Sequence, residues 1–340
     1  MPDERRSEPR RLRYHSTAGA RPMPAGQLIV VGAIALGLAA LLNADSLYAT
    51  AHRQPFGWRR TVLTDLVGPV HSLSSTLRLN RPRQRIETAI GRPAAPGSGP
   101  VEQVTVTTVP PTRAGSPTTT TAPLRQPTAA LPLQLWVGGD SMANDFGAAV
   151  ERLATARGNV TATRDYRIST GLSRPDYFNW PVHLRDDVLP TKPEVMVVIF
   201  GANDAQPLEV DGTVRQVHDP QWQEEYRERV ATTMDLLRAP DRRVIWVGQP
   251  RMRSDKFDDL MGILDGIYKS EAAKRPWIHF LDSRPVLAGK DGGYAAYLPG
   301  PGGQLELARQ GDGIHLSRFG ADKLAEKVFD VIDTEMRGGG

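Results

Sequence analysis

Cysteine is absent from the 340 residues, which excludes disulfides, thiolate–zinc sites and cysteine nucleophiles together. Basic residues are not massed in any one block of the globular part, and the formal net charge is only +4, so no nucleic-acid partner is expected. No internal repeat is evident. Hydrophobic residues reach 40%, enough for a core and too few for a polytopic membrane protein. A more telling absence is charge between Pro22 and Ala44, where the centre reads LIVVGAIALGLAALL between Arg21 and Asp45. One helix of that length spans a bilayer. Arg5, Arg6, Arg10, Arg11, Arg13 and Arg21 precede it, which predicts a cytoplasmic N-terminus and an extracytoplasmic remainder. A cleaved signal peptide is the competing reading, with Ala49-Thr50-Ala51 as its A-x-A site. The long spacer and Asp45 favour an uncleaved anchor in the cell membrane.

The composition divides the chain into five parts. Residues 1–21 form a basic cytoplasmic tail and 22–44 a transmembrane signal anchor. Residues 45–90 form a juxtamembrane amphipathic helical segment, in which Val62, Leu63, Leu66, Val67, Val70, Leu73 and Leu77 fall mostly at helical spacing. Gly68-Pro69 is expected to kink or split that helix. The segment suits the membrane surface or a partner in it, and a plain stalk is the alternative. Residues 91–132 are dominated by Pro, Thr, Gly and Ala, a composition that buries too little to offset chain entropy and reads as a disordered tether.

The part from 133 to 340 alternates short apolar runs with amphipathic stretches. LQLWV, VMVVIF, RVIWV and WIHFL are runs of buried strands, with another strand near 160–168. Met142, Phe146, Val150 and Leu153 have helical spacing. So do Trp222, Tyr226, Val230, Met234 and Leu237, then Phe257, Leu260, Leu264 and Ile267, and finally Leu324, Val328, Val331 and Ile332. Strands apolar on both faces and separated by helices predict a three-layer α/β/α sandwich around a central, mainly parallel sheet. In such sheets function sits in the loops at the carboxyl ends of the strands.

Four of those loops carry chemistry. The first strand runs out through Gly138-Gly139 into Asp140 and Ser141, and a serine there is either a helix cap or a nucleophile. A later run ends in FGANDAQ, where Asn203 either closes a turn or offers a donor to a cleft. Asp312 and His315 stand three apart in QGDGIHLS, just before the last helix, whose cap is read as Ser317. A base needs a group to hold its tautomer, and Asp312 has the spacing for that role. His15, His52, His71, His183, His218 and His279 are read as structural or solvated. Gly171, after the second strand, permits close backbone approach to a ligand.

Taken in order, Gly139-Asp140-Ser141, Gly171, Gly201-Ala202-Asn203-Asp204 and Asp312-Gly313-Ile314-His315 resemble the four blocks of the SGNH/GDSL hydrolase superfamily of esterases and acyl transferases. The resemblance covers residues 133 to about 335. It implies a flavodoxin-like α/β/α fold, Ser141 as nucleophile, His315 as general base and Asp312 as its orienting acid. It also implies an oxyanion hole made by the N–H groups of Ser141 and Gly171 and the amide of Asn203. The chemistry implied needs no metal and no cofactor, and a metal cluster of Asp140, Asp204, Asp312 and His315 is set aside.

The implied substrate is an O-acyl, in particular O-acetyl, group of cell-envelope polysaccharide. Asp140, Asp204, Trp180, Gln249 and Arg251 are the candidate substrate contacts, with Tyr177, Phe178 and Arg253 beside them. Superfamily members of this layout resemble proteins that cooperate with a multi-span membrane acyltransferase. Two other readings stay open: an extracytoplasmic lipase or thioesterase on acyl lipids, and a non-catalytic glycan-binding or scaffold module.

Overall fold

The computed structural model describes residues 24–54, 57–79, 102–104 and 124–337. The basic tail at 1–21 and most of the tether at 91–132 lie outside the described residues. The described residues fall into two compact units, one from residues 24–48 and 67–79 and the other from the described residues of 49–66 and 102–337. In the first unit, α1 (Ala25–Leu42) is apolar throughout, has no buried residue and is long enough, at a mean hydropathy of 2.3, to cross a membrane. Ser74 donates to the carbonyl of Leu41 at 2.7 Å, and His71 meets Asp45 at 3.2 Å.

Two helices follow α1: α2 (Ala44–Arg53) and α3 (Trp58–Thr76). Of the expected kink or split at Gly68-Pro69, the split does not occur, because α3 runs through Pro69. A proline deletes one N–H, here the donor to the Asp65 carbonyl, and the turns on either side keep theirs. The apolar side chains of α3 are largely exposed, Leu66 at 66% and Leu77, just past its end, at 56%.

The second unit is built on five strands: β1 (Leu133–Gly139), β2 (Val160–Tyr166), β3 (Val195–Ile199), β6 (Arg243–Val247) and β7 (Ile278–Leu281). All pair in parallel, in the order β2-β1-β3-β6-β7. Two small antiparallel hairpins interrupt the pattern, β4 (Leu208–Val210) with β5 (Thr213–Arg215), and β8 (Tyr297–Pro299) with β9 (Leu305–Leu307).

The sheet is apolar on both faces because its residues alternate between two cores. Val195, Val197 and Ile199 face one core, while Met196 and Val198 face the other, all fully buried. Each such side chain stabilises by roughly 1.5–3 kcal/mol relative to exposure. The first core is closed by α4 (Met142–Arg157) and α8 (Arg318–Arg337), through Phe146, Val150, Leu324 and Val328. The second is closed by α6 (Pro220–Leu236) and α7 (Asp255–Ala272), through Trp222, Tyr226, Met261 and Leu264. A short helix, α5 (Trp180–His183), adds to this side. The result is the expected three-layer α/β/α sandwich.

Chain order reverses at β1, which leads to β2 on one side and has β3 on the other. The loops after β1 and β3 therefore diverge and open a crevice at the carboxyl edge. The exit of β1 is very tight. Gly139 has φ +149°, and a Cβ there would lie 1.9 Å from the carbonyl oxygen of Ile199. Gly139→Ala is expected to cost roughly 3–6 kcal/mol in strain and overpacking. Gly158→Ala, at φ +70° with open space around it, should cost only about 1–2 kcal/mol. Denaturant midpoints of the two variants test the contrast, and equal losses would contradict it.

Candidate active site

Ser141 occupies the N-cap position of α4, yet its hydroxyl makes no capping bond. It lies 2.8 Å from Nε2 of His315 instead. The task of satisfying the helix end falls to Asp140, whose Oδ1 accepts the Met142 N–H at 2.8 Å. The cap and the hydroxyl that faces His315 are thus divided between neighbouring residues.

His315 stands in the loop before α8. Its Nδ1 is 2.6 Å from Oδ2 of Asp312, while Oδ1 of Asp312 accepts the N–H groups of Ile314 and His315 at 2.8 and 3.0 Å. With Nδ1–H donated to the carboxylate, Nε2 carries the lone pair that faces the serine hydroxyl. Partial burial pushes the Asp312 carboxyl up, but the His315 ring and the two N–H groups outweigh it and bring it down to about 2. It therefore remains charged wherever the protein is folded at ordinary pH, which keeps the imidazole tautomer fixed. Gly313, at φ +76°, packs against Arg253, and Ser317 caps α8 through Gly320 N–H at 3.2 Å.

The remaining donors are held by buried carboxylates. Oδ2 of Asp140 reaches across from the first loop to the Gly201 N–H, 3.1 Å away. Asp204, fully buried, accepts the Ser173 N–H and the Tyr226 hydroxyl, each at 2.7 Å. Gly171 lies so close to this carboxylate that a Cβ would sit 2.1 Å from Oδ1. Gln206 ties Asn203 O to Ser173 Oγ, at 2.5 and 3.2 Å. The Nδ2 of Asn203 is buried without a hydrogen-bond acceptor among the described residues. Such an orphan donor costs about 1–3 kcal/mol and suits a place where a substrate oxygen arrives.

Several expected substrate contacts are elsewhere. Asp140 and Asp204 are 0% exposed and spend their oxygens on the loops. Gln249 is also fully buried; its amide donates to Phe200 O at 2.7 Å and its side chain fills the space beside Gly201. Trp180 is a core residue, bonded to Thr170 Oγ1 and packed edge-on to Phe200. Asp140, Asp204 and Gln249 follow strand ends and Trp180 opens α5, but all four are buried. Arg251 is partly exposed, bonded to Asp258 at 2.9 Å and to Gly292 O. His183, read as structural or solvated, closes α5 between Asp165 and Asp187 at 2.6 and 2.7 Å. Its hydrogen bonds to Asp165 and then to Asp187 raise its pKa against the opposing effect of burial. Among the described residues no three His, Asp or Glu side chains are grouped to hold a metal.

One contributor had no signal in the sequence. Arg309 is 0% exposed and donates to the carbonyls of Arg251, Gly313 and Ile314, pinning the Asp312–His315 loop to the segment after β6. Burial lowers its pKa to about 10. A loop arginine reads as solvated in a sequence, and only the folded chain surrounds it with carbonyls.

Block order, sheet order and the contacts among Ser141, His315 and Asp312 bear out the resemblance to SGNH/GDSL hydrolases. The chain belongs to the family described as "Protein of unknown function (DUF459)", whose model matches residues 134–331. No curated protein matches it. Among solved structures it is similar to a putative acylhydrolase from Bacteroides fragilis, at 16% identity and TM-score 0.43, over 63% of this chain and 92% of that one. It is also similar to the C-terminal catalytic domain of Streptococcus pneumoniae peptidoglycan O-acetyltransferase A, at 15% and 0.38, over 61% and 96%. A mutant of the acetylxylan esterase Axe2 from Geobacillus stearothermophilus is similar at 15% and 0.41, over 58% and 93%.

Removal of the hydroxyl or ring, in Ser141→Ala or His315→Ala, should abolish turnover of an activated ester with little change in melting temperature. Asn203→Ala should lower kcat by roughly 10²–10³. Wild-type kcat in any of the three would contradict the assignment.

Asp140 yields a pH test. Burial raises its carboxyl to about 7, against the opposing Met142 and Gly201 N–H bonds. A carboxyl raised on folding stabilises most when protonated, so its contribution falls as pH climbs from the ordinary carboxyl range to about 7. Wild-type stability should drop between pH 5 and 7 by roughly 1–3 kcal/mol from this group. Asp140→Asn, less stable at pH 5 because it offers Gly201 no second oxygen, should lack that part of the drop. Identical pH slopes in denaturant titrations would refute this.

Proposed function

We propose that the chain is a serine esterase or O-acyltransferase that acts through an acyl-enzyme on O-acetyl groups of cell-envelope polysaccharide. The observation that carries the reading is the Ser141 hydroxyl withheld from its own helix and bonded to a carboxylate-held imidazole. In this mechanism Ser141 Oγ attacks the acyl carbonyl and its proton passes to His315 Nε2. Charge gathers on the carbonyl oxygen, beside the free amide of Asn203 and the N–H groups of Ser141 and Gly171. The bond to the leaving sugar oxygen breaks, and that oxygen takes the proton from His315. Water or a second sugar hydroxyl then attacks the Ser141 ester, gives its proton to His315 and leaves with the acyl group. Ser141 recovers its proton from the ring. Hydrolysis and transfer differ only in the acceptor.

The envelope substrate is supported by the apolar α1, by the arginines that precede it and by the Pro/Thr-rich stretch between it and the α/β body. These features favour a single-pass protein with the catalytic part outside the cytoplasm. The exposed Leu66, Leu73 and Leu77 support contact with the membrane, or with a multi-span acyltransferase that supplies the acyl group.

The full chain in nanodiscs, offered acetyl, long-chain acyl and thioester reporters, should turn over the acetyl ester fastest. A preference for long chains would point to a lipase, and a preference for thioesters to a thioesterase. In cells, Ser141→Ala should change the acetyl content of the surface polymers. Unchanged acetylation in an expressing strain would count against the envelope substrate.

A further inference from the structure

The Gly171 loop is held on one side by Asp204 and on another by Arg229 of α6, which donates to Leu172 O and Ser173 O at 3.2 and 2.8 Å. A third hold comes from outside the α/β layers. Arg174, with its side chain only 5% exposed, chelates Asp176 through Nε and Nη2 at 2.7 and 2.9 Å. The same guanidinium donates Nη1 to Gln54 O at 3.1 Å and Nη2 to His52 O. His52 lies in the last turn of α2 and Gln54 just beyond it. Carbonyls there lack helical donors and sit at the negative end of the helix dipole, so they attract a guanidinium. From the first turn of α3, Arg60 reaches Asp176 Oδ2 at 3.2 Å and His52 Nδ1 at 3.4 Å.

Two guanidiniums thus share one carboxylate, and all three side chains are at least about three-quarters buried. Burial pushes the Asp176 carboxyl up, but Arg174 and then Arg60 outweigh it and hold it below the ordinary range. Buried ion clusters recover little net stability once desolvation is counted. What they do supply is a fixed geometry, because removing one member leaves the others uncompensated. The residues fixed are Ser173 to Asp176, directly after the glycine whose N–H faces the acyl oxygen in the proposed reaction. The same elements wall a groove of about 410 Å³ lined by Arg60, Gly171, Ser173, Asp176, Phe178 and Glu225, among others.

We propose that residues 49–66 are a working part of the active site, and that Arg60, Asp176 and Arg174 are positioning residues holding the Gly171 loop in its oxyanion-binding geometry. The inference rests on the serine esterase or acyltransferase reading. A passive stalk would leave catalysis untouched when its contacts are cut, whereas a positioning segment would lower kcat with little effect on KM.

The test uses the full chain in nanodiscs, as wild type, Arg60→Met, Arg60→Lys and Asp176→Asn. Amide hydrogen exchange over residues 170–178 should rise by roughly tenfold in Arg60→Met, as local opening becomes easier, while β3 and β6 stay protected. With an acetyl ester, kcat should fall by roughly 10–100-fold at nearly constant KM, the scale of a small displacement at a reacting centre. Arg60→Lys should recover part of both effects, and Asp176→Asn, which leaves two guanidiniums facing each other, should exceed Arg60→Met. Unchanged exchange over 170–178 in both Arg60→Met and Asp176→Asn would overturn the inference. So would exchange that rises equally in β3 and β6, the mark of a merely structural contact. A wild type without turnover would instead sink the esterase reading, with the exchange data still deciding whether the segment holds the loop.

Discussion

One buried carboxylate joins the two loops on which the site depends. Asp140 gives one oxygen to the start of α4 and the other to Gly201, beyond β3. The first bond caps the helix and releases the Ser141 hydroxyl for His315. The second draws the Asn203 loop against the serine loop at the place where strand order reverses. Both bonds require the carboxylate to be buried, and a buried carboxylate is costly unless backbone N–H groups surround it. The passage of Gly139 past Ile199 O brings it there. The double glycine, the acid and the serine at the end of β1 therefore form one device.

Below this bridge a second carboxylate does similar work. Asp204 connects the Gly171 loop to Tyr226 of α6, and Tyr226 leads on to Tyr268 and Phe200 O, at 2.7 and 3.2 Å. Asp204, Tyr226, Tyr268 and Phe200 O are thus all partnered, as a low-dielectric interior demands. Asn203 Nδ2, like Trp246 Nε1 and Arg309 Nε, is a buried donor with no acceptor among the described residues. In the proposed reaction the Asn203 amide is the donor that a substrate oxygen would meet.

Much of the fold was legible because its physical signals are local. Strands buried on both faces read as apolar runs, and the helices between them kept their spacing. The order of Ser141, Asn203, Asp312 and His315 placed them at one sheet edge. What sequence could not reveal was direction. Asp140, Asp204 and Gln249 stand after strand ends as surface contacts would, and Trp180 opens a short helix, yet all four are buried. Nor does a sequence reveal contacts across long stretches of chain. Arg174 and His52 are 122 positions apart, and Arg309 reaches the carbonyl of Arg251, 58 residues earlier. Their charge suggested solvent, and their burial follows only from tertiary packing.

The proposed chemistry depends on the nucleophilicity of one hydroxyl, and mass spectrometry of the intact and digested protein measures that most directly. After exposure to a serine-directed acylating reagent, the wild-type chain should carry one acyl group, on the peptide containing Ser141, and His315→Ala should carry none. Modification distributed over other serines, or an unmodified Ser141 in a folded wild-type protein, would contradict it.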